Sequence, residues 1–318
     1  LTMRSLRLAR NRLSEPRVAE DIIPMVTHHL RRIAAILKLG VHQFEVVETL
    51  QPQDFLDFRD KLVPSSGFQS FQMRELEILL GLEDSQRIAY GKVNPLEHIF
   101  EVARDTPGGR MASQRVKAAR EETSLLSAVN DWLYRTPIQG SGPEDPDDDA
   151  AVMGFIDSYL ESMDEHLDAN LERLTAALGG DRGGMAERFH TMREQAAAFL
   201  NATTVPEEER NHVRRVRAAA LFIESYRKLP LLAWPRLMLD AVVELEEQLV
   251  LWRHRHARMV ERLIGRRPGT GGSGGVEYLE QTGSYRVFRD LWAIRTLLLP
   301  SAELPALKAP EMYGFTSE

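Results

Sequence analysis

Two histidines, His254 and His256, stand in the run WRHRHARMVERLIGRRPGTGGSGGVEYL at residues 252–279, just upstream of a glycine-rich loop. Imidazole is the commonest metal ligand and the side chain whose charge changes nearest neutral pH. Glycine backbone beside it allows main chain to approach a ligand closely. Gly269, Gly271 and Gly274 satisfy G-x-G-x-x-G. The dinucleotide fingerprint, however, follows a strand and opens a helix, whereas these glycines follow a helical pattern, and no Gly-Lys-Ser/Thr makes a phosphate loop. Upstream, Val242, Leu245, Leu249, Trp252, His256, Met259 and Leu263 are spaced 3-4-3-4-3-4, one uninterrupted apolar stripe. His256 takes its fifth position, while His254 falls on the charged side with Arg253 and Arg255. Positions 252 and 260 are Trp and Val, so no second ligand lies one turn away, which disfavours zinc with its three or four protein ligands. Two readings remain for His256. It is a core histidine satisfied by a backbone carbonyl, or the single protein ligand of a haem iron whose porphyrin supplies the other four.

A second constellation lies in QPQDFLDFRDKLVPSSGFQSFQMRELEILLG at residues 51–81. Pro52 fits the first turn of a helix, placing Phe55 and Arg59 four apart on one face with Phe58 beside them. Arg59 could pair with Asp54 or Asp60, or its guanidinium fork could take a ligand carboxylate next to a surface that stacks a flat ring. Ser66 to Gln69 has the spacing of a capping box for the next helix.

The elements that must carry these residues are helical. Apolar residues recur at three and four in VTHHLRRIAAILKLGVHQFEVVETL, SQRVKAAREETSLLSAVNDWL, GFIDSYLESMDEHLDANLERLTAAL and YRVFRDLWAIRTLLL, and no strict alternation predicts a strand. Gly81, Gly179-Gly180, Gly265 and Pro300 mark helix ends. The stretch TPIQGSGPEDPDDDA at 136–150 is expected to be a solvated acidic loop that interrupts a single all-α domain spanning 1–318. A net charge of −7 with basic residues interspersed among acids argues against nucleic acid as the main partner. Zero cysteines exclude disulfides, thiolate metal sites and cysteine nucleophiles. The longest apolar run, LPLLAWPRLMLDAVV, is broken by Pro235 and Arg236 and falls short of the roughly 20 residues of a membrane helix.

The block DFLDFRDKLVPSSGFQSFQMRELEILLG closely resembles the signature of the tryptophan 2,3-dioxygenases, haem enzymes that open the indole ring of L-tryptophan. The resemblance continues through YRKLP at 226–230 and the histidine–glycine run, and ends in YRVFRDLWAIRTLLLP. It implies an all-α haem b protein using O2, cytoplasmic and homotetrameric, with active sites completed by neighbouring N-terminal segments. In that family the proximal haem ligand stands fourteen residues before the Thr of the glycine loop, which is His256 counted from Thr270, the residue the helical stripe also selects. Trp252, Gly271 and Gly272 are the implied cofactor neighbours. Thr270 would hold the amino-acid end of the substrate, Arg59 its carboxylate, Phe55 and Phe58 would wall the pocket, and Ser66 would face the indole. Two departures stand out. Gly274 and Val276 replace a Ser and a Tyr of the usual loop, Thr-Gly-Gly-Ser-Ser-Gly-Tyr. The family's distal histidine belongs to a His-Gln-x-x-Glu-Leu-Trp run, and this chain begins at that Leu with Thr2 in place of Trp, so the distal-pocket segment is expected to be absent. The expected reaction is cleavage of the C2–C3 bond of L-tryptophan to N-formylkynurenine. The alternatives are mono-oxygenation of a substituted tryptophan or another aromatic amino acid, and a haem-binding sensor without turnover.

Overall fold

The computed structural model describes residues 1–19, 21–62, 70–89, 95–102, 107–178, 182–269 and 274–314. The chain is all-α, as expected: β-pairing among the described residues is confined to one isolated bridge between Ile138 and Ser141. The helices are α1 (Thr2–Leu13), α2 (Ile22–Val47), α3 (Pro52–Arg59), α4 (Phe71–Leu80), α5 (Pro95–Val102), α6 (Pro107–Glu121) and α7 (Leu125–Arg135). They continue with α8 (Asp148–Leu178), α9 (Arg182–Leu200), α10 (Glu207–Ser225), α11 (Ala233–Ile264), α12 (Val276–Thr282) and α13 (Arg289–Leu297). The chain divides into two compact units, one of Leu1–Val129 with Asp240–Phe288 and another of Asn130–Leu239 with Arg289–Glu318. No helix is long and apolar enough to cross a membrane among the described residues.

The first unit is built on α1 and α2. Along α2, Ile23, Val26, Leu30, Ile33, Ala34 and Leu37 are buried at helical spacing, and the same stripe runs on through Gly40 to Phe44. Against it α1 buries Leu6, Ala9 and Leu13. Arginines on the flank of α1 reach carboxylates on and just after other helices: Arg7 meets Glu75 of α4 at 3.0 Å and Glu122, next after α6, at 2.7 Å, and Arg10 meets Glu122 at 2.6 Å. Pro52 does open α3 at its first turn. Gly81 ends α4 at φ 113°, in the left-handed region, where its amide reaches back to the carbonyls of Glu77 and Ile78. A Cβ there would lie 2.7 Å from Leu126 Cβ, so only glycine fits. The apolar run broken by Pro235 and Arg236 becomes the start of α11, because a proline in the first turn sacrifices no helical hydrogen bond.

In the second unit the acidic stretch is exposed at residues 144–147 but built into the fold on either side. Gln139 (φ 52°) and Gly140 (φ 86°) form a tight turn of the type that closes a hairpin, with Ile138 fully buried beneath it. The Gly140 amide donates to the Tyr313 hydroxyl at 2.9 Å, and that hydroxyl donates to the Pro137 carbonyl at 3.1 Å. Asp148 at the start of α8 is buried against Arg215 of α10 at 2.5 Å, and Arg215 also donates to the Tyr134 carbonyl at 2.6 Å. A polar sequence reads as solvated because aspartate normally costs too much to bury. A guanidinium that satisfies both carboxylate oxygens removes that cost. Removing one partner of such a pair leaves a buried charge, so Asp148→Asn should lower stability by about 3–5 kcal/mol. Urea unfolding at neutral pH reads this directly, and a loss of only a few tenths of a kcal/mol would show that the turn does not depend on the pair.

Candidate functional site

A cavity of ≈ 560 Å³ opens within the first unit, a size suited to a drug-sized or larger ligand. Its walls are mostly apolar, with Leu37 of α2, Phe55 and Leu62 beside α3, Met73 and Leu76 of α4, and Val260 of α11. Into this wall α11 sets Trp252 and His256, one helical turn apart. The stripe read from the sequence is the inward face: Val242, Leu245, Leu249 and Leu263 are buried, and His256 is half-buried where it lines the cavity. His254 is exposed, with its ring laid against Gly283, where a Cβ would come within 2.6 Å of Cε1.

Burial, with help from the nearby Arg253 guanidinium, pushes the His256 imidazole down to about 4. It is therefore neutral at physiological pH and keeps a lone pair. Its ring nitrogens make no hydrogen bond among the described residues; its neighbours are rings, Phe44 at 5.3 Å and Trp252 at 5.3 Å between centroids. Nor do the described residues contain a group of three or more His, Cys, Asp or Glu that could hold a bare metal ion. The donor set instead fits a planar prosthetic group that brings most of its own ligands and needs one neutral nitrogen from the protein.

Arg59 and Phe55 line the same cavity, brought there by the four-residue spacing on α3. Arg59 also donates to the carbonyl of Pro268, tying the end of α3 to the entrance of the glycine loop. Phe58 does not line the cavity: it is 38% exposed and touches Phe55 edge-on at 5.2 Å. Three residues separate it from Phe55, which turns it towards the flank of the helix. Ser66, Thr270, Gly271 and Gly272 lie outside the described residues, as does the capping box at 66–69. The flanks of the glycine loop are described: Gly269 and Gly275 line the cavity. Gly275 takes φ 60° at the start of α12, and a Cβ there would meet the Arg267 carbonyl at 2.6 Å. Gly275 therefore sits against the Arg267 carbonyl at a position that must be glycine. The departures Gly274 and Val276 do not line the cavity; Gly274 is exposed and Val276 is fully buried. Thr2, which stands where the family pattern has Trp, is part of the wall.

The sequence reading missed what stands behind the wall. Arg253, assigned to the charged side of the helix, is buried at 5% exposure. It donates to Glu77 of α4 at 2.7 Å and lies 4.7 Å from the centre of the Tyr285 ring. Arg74, at 2.7 Å, and Arg87 complete the ring of cations around the Glu77 carboxylate. Burial alone would push Glu77 up, but the three guanidinium groups outweigh it and hold the carboxyl down to about 2. The available signal was spacing: Glu246, also buried, stands seven residues before Arg253 and so shares its helix face.

An all-helical protein whose mostly apolar cavity presents one neutral histidine together with Arg59, Arg74 and Arg253 defines a class of helical small-ligand proteins with a single-histidine site. The sequence matches the family described as tryptophan 2,3-dioxygenase over residues 1–298. Among curated relatives, "Tryptophan 2,3-dioxygenase" of Sorangium cellulosum (strain So ce56) is 42% identical over 325 residues, covering 100% of this chain and 77% of the relative. "Tryptophan 2,3-dioxygenase 2" of Ralstonia nicotianae (strain ATCC BAA-1114 / GMI1000) is 42% identical over 329 residues, covering 100% of this chain and 86% of the relative. "Tryptophan 2,3-dioxygenase-like protein" of Xanthomonas campestris pv. campestris (strain 8004) is 46% identical over 273 residues, 84% of this chain and 98% of the relative. The chain belongs to the tryptophan 2,3-dioxygenase family.

Replacing Glu77 by Gln would take the buried carboxylate from Arg74 and Arg253 and leave Arg87 with Asp84 alone, so Glu77→Gln should cost about 3–5 kcal/mol in urea unfolding at pH 7. Because the folded-state value is depressed, the contribution is complete above the ordinary 4.5 and is lost as pH falls towards 2. The difference between wild type and variant should shrink over that window, and a constant difference would refute the assignment.

Proposed function

We propose that this protein is a haem-dependent tryptophan 2,3-dioxygenase that inserts both atoms of O2 across the C2–C3 bond of L-tryptophan, giving N-formylkynurenine. The observation that carries the reading is that one cavity brings together the neutral His256 of α11 and Arg59 of α3, from opposite ends of the first unit's sequence. Haem b, when bound, supplies the iron chemistry that makes O2 reactive towards an indole ring. His256 is the residue to hold its iron, with Trp252, Gly271 and Gly272 as neighbours. Arg59 offers a planar fork of donors for the substrate carboxylate, a charge-assisted contact that fixes direction as well as charge. Phe55 gives the indole an apolar wall, and the exposed Phe58 supports it by its edge contact. Thr270 would take the amino-acid end and Ser66 would face the ring. Holding the amino-acid end rigidly keeps the indole aligned through both oxygen insertions. A mono-oxygenating relative with a looser loop is the second reading, motivated by Gly274 and Val276. That neither residue lines the cavity supports dioxygenation. A cytoplasmic homotetramer belongs to the proposal, and the exposed Met25, Leu39 and Val46 on α2 are apolar surface that such an assembly would use.

Turnover of L-tryptophan under ¹⁸O₂ tests the reaction. Two labelled atoms in formylkynurenine are expected, and a single labelled atom in an oxindole or hydroxylated product would move the protein to mono-oxygenation. His256→Ala should abolish the histidine-ligated haem spectrum while His254→Ala preserves it; the reverse result would overturn the helix phase. For Arg59, lysine keeps the charge and loses the fork. Arg59→Lys should raise KM for L-tryptophan about tenfold or more with haem content unchanged, the loss of one charged hydrogen bond. Equal affinity of wild type for indole and tryptophan would remove Arg59 from the substrate.

A further inference from the structure

The imidazole of His256 packs against rings from two helices. The groups around a metal-binding histidine set the plane of its ring. Phe44 of α2 lies parallel to the imidazole, with an interplanar angle of 5° and centroids 5.3 Å apart. Trp252 is tilted at 45° on another side at 5.3 Å, and Phe44 and Trp252 touch each other at 5.4 Å. The three rings form a closed triangle. Gly40 makes room for it: a Cβ there would lie 3.2 Å from Cδ1 and 3.3 Å from Nε1 of Trp252, so glycine lets the indole approach α2 closely. The spacing is reciprocal, four residues from Gly40 to Phe44 and four from Trp252 to His256, so one turn of α2 docks on one turn of α11.

We propose that Phe44 and Trp252, seated by Gly40, are the positioning residues of His256, fixing the plane of its ring by stacking. The orientation depends on the fit of α2 to α11, so a mutation on α2 that touches no substrate changes the iron. The inference rests on the haem reading above, and its test separates the two.

The test uses ferrous haem-loaded protein, reading the iron–histidine stretching band by resonance Raman and the rate of haem transfer to an excess of apomyoglobin. Phe44→Leu should broaden and shift the band and speed haem loss roughly tenfold, the lower end of the effect of losing an outer-shell partner. Phe44→Tyr, which restores a flat ring, should recover the wild-type band. Gly40→Ala keeps Phe44 but displaces Trp252, and should shift the band in the same direction. Circular dichroism of each variant without haem verifies that the helices persist; if Phe44→Leu fails to fold, Gly40→Ala carries the comparison. A band and transfer rate unchanged in both Phe44→Leu and Gly40→Ala overturn the stacking device while leaving His256 as ligand. A wild-type protein with no iron–histidine band overturns the haem reading and this inference with it, whereas a band that survives His256→Ala removes His256 as the ligand and so overturns this inference alone.

Discussion

The carboxylate of Glu77 is the constraint on which the candidate site depends. It is buried at 1% exposure with Arg74, Arg87 and Arg253 around it, so α4, the segment after it and α11 meet at one charge. Three guanidinium groups against one carboxylate leave excess positive charge inside the protein, and the structure spreads it outward. Arg87 also pairs with Asp84 at 3.1 Å, itself 46% exposed, and Arg253 rests on the Tyr285 ring. Cation–ring attraction gains strength when water is excluded, which suits Arg253 in its buried position. Such a cluster is poor in net stability but intolerant of misregister, because any slip strands a charge.

That intolerance matters because Arg253 and His256 stand three residues apart on α11. Pinning the first in a buried ion pair fixes the rotation of the helix about its axis, and hence the direction of the second. Glu246, two turns earlier, works in the same sense by accepting the amides of Val287 and Phe288, which holds the chain after α12 to the same helix. The imidazole then meets an apolar cavity and is stripped of its proton by burial. Arg59, half-buried, lines the same cavity and is tied by the Pro268 carbonyl to the chain just before the glycine-rich segment.

The second unit solves a different problem with the same chemistry. Its acidic turn is anchored by Arg215 rather than left to solvent, and Tyr159, Tyr226 and Tyr313 each bring a hydroxyl from an apolar cluster to a backbone carbonyl. Phenols serve there because the ring fills the core and the hydroxyl satisfies a chain segment that no helix can.

The sequence by itself determined the helices and the phase of α11. A helix that packs on one side must carry apolar residues every three and four positions, so the stripe from Val242 to Leu263 could only face inward, and His256 with it. It also determined where helices end, since Gly81 adopts a backbone that other residues resist. Family membership was legible in the blocks around Arg59 and the glycine loop, which are specific strings rather than periodicities. Tertiary structure alone decided which charges are buried. Arg253, Glu77 and Asp148 look like solvated residues in sequence, and their burial depends on partners 176 and 67 residues away that no local pattern reveals. It likewise decided that Phe55 but not Phe58 reaches the cavity, and that the rings around His256 include one from α2. Local spacing sets the direction of a side chain from its own helix, whereas what it meets there is set by another part of the chain.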